Sequence, residues 1–127
     1  MTKTPHHHSK TASESSIVTR AVLRAGSHLG LTNRAIGRII GVSEATVSRM
    51  GSGDYILTRG DKSFELAVLL VRLFRSLDAI VGGDEATARS WLRSSNTVLG
   101  AQPIEKIQSI SGLLDVIAYL DARRAIV

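Results

Sequence analysis

At 127 residues the chain has room for one domain or two small ones, which excludes a large enzyme. Its 43% apolar and 21% charged content is that of a folded protein, and the absence of cysteine excludes disulfides, thiolate nucleophiles and cysteine metal sites; a reducing, cytoplasmic setting is expected. The net charge of +5 is unevenly spread: residues 1–60 hold eight Lys/Arg against three acids and residues 61–127 eight against eight, so only the first half is basic enough to approach a polyanion.

In chain order, residues 1–16, MTKTPHHHSKTASESS, are small and polar without apolar periodicity, which predicts a disordered tail with neither signal-peptide layout nor metal site, three adjacent histidines (His6, His7, His8) defining no coordination geometry. Ile17, Val18, Ala21, Val22, Ala25 and Leu29 recur at helical spacing and Gly30 ends that first helix. Thr32 caps a second helix from Asn33 to Ile40, with Ile36, Ile39 and Ile40 inward and Gly41 as its stop. Ser43 caps a third through Met50, with Val47 and Met50 inward, before the breaker Gly51-Ser52-Gly53-Asp54. The longest helix is expected from Asp61 to Gly82-Gly83. Its polar positions Asp61, Glu65, Arg72 and Arg75 form only a narrow stripe, which predicts a central place or a homodimer contact. Glu65, Arg72, Arg75 and Asp78 interrupt its apolar run from Phe64 to Val81, so it is not expected to span a membrane. Asp84 caps a helix to about Ser94, Pro103 opens a short one through Ile107, and Ser111 begins the last, carrying Leu113, Leu114, Val116, Ile117 and Leu120. No run alternates at period two, so the expected fold is all-α.

The stretch NRAIGRIIGVSEATVSRM, Asn33 to Met50, meets the demands of a helix-turn-helix. Gly37 supplies a small residue where the helices cross, Gly41 tolerates positive φ in the turn, and Ile36, Ile40, Val42 and Val47 fill the space between. An ordinary helical hairpin is the alternative. In a helix-turn-helix the third helix enters the major groove, which makes Ser43, Glu44, Ala45, Thr46 and Arg49 candidates for base contact and Asn33, Arg34, Arg38 and Ser48 candidates for phosphate contact. Ser43 equally reads as a cap alone, and Arg34 and Arg38 as a solvated face. Glu44 repels phosphate, so it reads either as selecting a cytosine amino group or as pairing with the positive end of its helix.

The run ATVSRMGSG, Ala45 to Gly53, resembles the Xre-type helix-turn-helix proteins. The stretch WLRSSNTVLGAQPIEKI, with Trp91, Leu92, Asn96, Leu99, Gly100, Pro103, Ile104 and Ile107, followed by SGLLDVIAYLDARRAIV, resembles the toxin-binding region of the Xre/MbcA/ParS antitoxin family. This resemblance implies an N-terminal helix-turn-helix over 17–58 and a helical toxin-binding region over 59–127. It implies a protein that neutralises a RES-domain, NAD-consuming toxin and represses its own operon, as a dimer on double-stranded DNA. The implied toxin contacts are Trp91, Asn96, Leu99, Gly100, Asp121, Arg123, Arg124, Ile126 and Val127, the two arginines being the charged ones. Ala122 and Arg123 stand where a glycine is common in the family. By themselves, Trp91 reads as a core anchor, Asn96 as a turn former and Pro103 as a helix start. A free-standing dimeric transcription regulator is the competing function. No enzyme or cofactor is expected, because the carboxylates are scattered, His28 is the one histidine in the folded part, and no phosphate-binding loop is present.

Overall fold

The computed structural model describes the backbone of residues 5–126 and the side chains of residues 14–125. Within them the chain forms seven helices and no strand: α1 (Pro5–His28), α2 (Asn33–Ile40), α3 (Glu44–Ser52), α4 (Lys62–Val81), α5 (Glu85–Leu92), α6 (Pro103–Lys106) and α7 (Ile110–Ile126). An isolated bridge between Asn96 and Ala101 closes the loop between α5 and α6. The histidine side chains at 6–8, the side chain of Ile126 and all of Val127 lie outside the described residues.

The caps explain where the helices begin. Thr32 Oγ1 accepts from the Ala35 amide at 3.0 Å, Ser43 Oγ from the Thr46 amide at 3.0 Å and Asp84 Oδ1 from the Thr87 amide at 3.3 Å, each satisfying an amide the helix itself leaves free. Helix α4 is the axis of the molecule, packed by α1, α2, α5 and α7. It buries Leu66, Ala67, Leu70, Leu73, Ser76 and Leu77. Leu70, Leu73 and Leu77 are wholly enclosed, and removing side chains of this size from water stabilises the fold by roughly 2 kcal/mol each. One continuous core results, running from Val22 on α1 to Leu120 on α7, so the two regions of the chain share an interior.

The first helix starts at Pro5, where the sequence predicted a disordered tail to residue 16. Polar tertiary contacts account for part of the difference. Thr19, only 3% exposed, donates to the Ser15 carbonyl at 2.7 Å and accepts from the Leu57 amide at 3.0 Å, while Glu14 pairs with Arg59 at 2.6 Å. Apolar periodicity carries no trace of such bonds. Helix α3 also continues through Gly51, expected to break it, and stops at Gly53.

Candidate functional site

Two glycines set the geometry of the N-terminal surface. A Cβ on Gly37 would stand 2.5 Å from the Val42 carbonyl oxygen, so only glycine lets α2 touch the turn and the start of α3. Gly41 takes φ +82°, the left-handed value that ends α2 and redirects the chain. Asn33, Arg34, Arg38, Ser43, Glu44, Ala45, Ser48 and Arg49 are then all exposed, whereas Thr46 is half-buried. Thr46 is part of a small scaffold: its hydroxyl lies 2.9 Å from Ser43 Oγ and accepts from Arg49 Nη2 at 3.1 Å, so it positions the Arg49 guanidinium on the outer face of α3. Among the described residues no carboxylate forms a salt bridge with Arg34, Arg38 or Arg49. The same holds for Arg20 and Arg24 of α1, and Arg20 shares a surface cavity with Met50, Gly51, Ser52 and Gly53 at the end of α3. Apolar periodicity gives no sign of these two, which occupy exposed positions of α1.

A second surface lies on α5, α7 and the loop after α5. Trp91 stacks on Tyr119 with ring centroids 6.0 Å apart, and the Arg123 guanidinium carbon lies 5.0 Å from the Tyr119 ring centre while its Nε donates to the phenol oxygen at 2.9 Å. Asn96 Oδ1 accepts from the amides of Val98 and Leu99, both at 3.0 Å, and its backbone carbonyl accepts from the Gly100 amide at 2.8 Å. Leu99 is half-buried against the core and Val98 is 74% exposed. Tyr119, absent from the sequence-based candidates, is the hub that joins Trp91, Asn96 and Arg123; its position one turn before Arg123 was the available signal. Hydrogen bonding from Asn96 and then from Arg123 holds the phenol below its ordinary value of 10.0. In a Tyr55→Phe background, absorbance titration of the remaining tyrosine is expected to show this lowered midpoint, and Arg123→Ala to move it upward. A midpoint indifferent to Arg123 would contradict the contact.

Asp121 and Arg124 face elsewhere. Asp121 accepts from Arg72 Nη2 at 2.5 Å and from Ser76 Oγ at 3.0 Å, and Arg124 Nη1 reaches Ser76 Oγ at 3.4 Å. Successive helical residues point about 100° apart, which is how Arg123 joins the aromatic cluster while its neighbour Arg124 turns to α4. The expected contact set of the C-terminal region is thus split between two faces of α7.

The two surfaces are tied by a pair of arginines. Arg89 donates from Nε to the His28 carbonyl at 3.0 Å and from Nη2 to that of Ser27 at 2.9 Å, and Arg93 donates to the carbonyls of Leu29 at 3.1 Å and Gly30 at 2.8 Å. Carbonyls at a helix C-terminus lack intrahelical partners and carry partial negative charge, so two guanidinium forks suit them. His28 itself stacks on Phe74 at 5.3 Å and bonds Glu85 at 2.5 Å. That bond, more than Arg89 nearby, holds the Glu85 carboxyl below its usual 4.5. His28 therefore serves the junction between α1, α4 and α5. Among the described residues no group of three His, Asp or Glu is placed to hold a metal, and no helix is long and apolar enough to cross a membrane.

These features define a helix-turn-helix protein with a second helical unit fixed to it. The antitoxin Xre-like helix-turn-helix domain matches residues 9–72, and the antitoxin Xre/MbcA/ParS C-terminal toxin-binding domain matches residues 76–125. The chain belongs to the Xre/MbcA/ParS antitoxin family, and is the antitoxin of a toxin-antitoxin system. A chain of the M. tuberculosis MbcT-MbcA toxin-antitoxin complex has the same fold, with a TM-score of 0.66 and 22% identity over 87% of this chain and 96% of that one. A search of curated proteins gave no match.

Proposed function

We propose that this antitoxin neutralises a RES-domain toxin that consumes NAD, and that it represses its own operon as a homodimer in the cytoplasm, acting by binding and without catalysis or cofactor. The observation that carries the reading is the Trp91–Tyr119–Arg123 stack, an amphipathic aromatic surface with a guanidinium at its edge on a domain whose family binds toxins. Trp91, Asn96, Leu99, Gly100 and Arg123 contribute to the toxin contact directly. Asp121 and Arg124 support it by holding α7 on α4, and Ile126 and Val127 follow as an apolar end.

On DNA, α3 occupies the major groove with Ser43, Glu44, Ala45, Thr46 and Arg49 toward the bases. Asn33, Arg34, Arg38 and Ser48, joined by Arg20, meet phosphates. Arg49→Ala is expected to weaken binding to the DNA upstream of its own gene by about 1–3 kcal/mol, roughly fivefold to a hundredfold, with an unchanged helical spectrum. Affinity is also expected to fall steeply with salt as condensed counterions are released. A mobility-shift titration at several salt concentrations measures both. Unchanged binding removes Arg49 from the site, and a flat salt response contradicts DNA as the partner.

A further inference from the structure

We propose that the exposed stripe of α4 seats a second copy of this chain in a two-fold, antiparallel contact centred on Val68. This rests on the homodimer reading above and adds where, and in which register, the copies meet. The stripe runs Asp61, Glu65, Val68, Arg72, Arg75, with alternate spacings of four and three residues that keep it on one face of the helix. Acids occupy its N-terminal end, arginines its C-terminal end, and Val68, 43% exposed, stands between them.

Asp61 lies seven residues before Val68 and Arg75 seven after it; Glu65 lies three before and Arg72 four after. A two-fold axis through Val68 therefore sets Asp61 against Arg75 of the second copy and Glu65 against its Arg72, twice over by symmetry. A parallel arrangement would instead oppose acid to acid and arginine to arginine. The groups are available for it. Asp61 makes no side-chain cap bond, Glu65 and Arg75 have no salt bridge among the described residues, and Arg72 engages Asp121 through one nitrogen of a five-donor fork. Beside the stripe, Ile17, 53% exposed, and Val18, Ala21 and Val71 line a half-open cavity of about 430 Å³, which gives the contact an apolar floor next to its charged ends.

The chain has no cysteine, so Val68→Cys carries a single thiol. A disulfide needs Cα atoms within about 7 Å, a separation that a symmetric pair meets only at the axis. Under mild oxidation the full-length Val68→Cys protein is expected to become a covalent dimer, whereas Val98→Cys, on the exposed loop after α5, stays monomeric on a non-reducing gel. Glu65→Arg, which removes no intramolecular salt bridge among the described residues, is expected to raise the dimer dissociation constant at least about tenfold in sedimentation equilibrium by opposing the Arg72 of the second copy. A dimer that neither cross-links through position 68 nor responds to Glu65→Arg overturns this placement while leaving the homodimer reading intact. A monomer at micromolar concentration overturns both.

Discussion

A chain ending at Asp121 is expected to lose toxin neutralisation while still binding its operator. Removing Ala122–Val127 deletes the Arg123 guanidinium that donates to Tyr119 and the Arg124 group that reaches Ser76, together with the apolar end Ile126-Val127. Aromatic and arginine anchors of this kind cost about 2–4 kcal/mol when truncated, on the order of a hundredfold in affinity. The competing role of these residues is to finish α7, its arginines pairing with the negative helix end. Inhibition titrations and mobility shifts on the same preparation separate the two. Retained inhibition would leave these residues as a helix end only, whereas loss of both activities would signal a folding defect.

The second large effect is expected at two close approaches of backbone to backbone. A Cβ on Gly112 would overlap the carbonyl of Lys106, and one on Gly37 would press on the Val42 carbonyl oxygen at 2.5 Å; neither obstacle is a flexible side chain that could swing aside. Gly37→Ala is expected to cost about 1–3 kcal/mol and to lower Tm by several degrees, and Gly112→Ala to cost about 3 kcal/mol or more. Gly51→Ala is the internal control. Its Cβ would meet nothing, and an alanine inside α3 is expected to be neutral or to stabilise by about 0.5–1 kcal/mol. Thermal unfolding of the three variants checks the ranking, and a Gly37→Ala protein as stable as Gly51→Ala would contradict the close crossing.

What the sequence revealed was what neighbours in the chain decide. The caps Thr32, Ser43 and Asp84, the left-handed turn at Gly41 and the ends of α4 all follow from residues a few positions apart, and the structure has each of them where expected. The part that could not be read depends on residues far apart. Thr19 meets Leu57, Arg89 and Arg93 meet the end of α1, and Asp121 meets Arg72; no local pattern announces any of these pairs. The same limit applied to the candidate toxin contacts. Arg123 and Arg124 look equivalent in sequence, but one helical step sends them to opposite tasks, and Tyr119, which looks like ordinary core of α7, organises the cluster. The starting point of α1 was obscured for another reason. Its N-terminal half is polar, and Glu14, Ser15 and Thr19 are held by hydrogen bonds and an ion pair instead of an apolar stripe.

The arginine clamp fixes the two halves of the chain to each other. Arg89 and Arg93 belong to α5, which also carries Trp91 of the aromatic cluster, and they grip the chain immediately before α2 of the helix-turn-helix. The helix that carries Trp91 is thus bonded directly to the end of α1 and to Gly30, two residues ahead of the cap of α2.

The proposed function is tested most directly by titrating the purified full-length chain into the toxin it is paired with while following NAD consumption. Consumption is expected to fall to the background rate as this chain is brought to an excess over the toxin. A rate that is unchanged at a large excess of this chain would contradict that function.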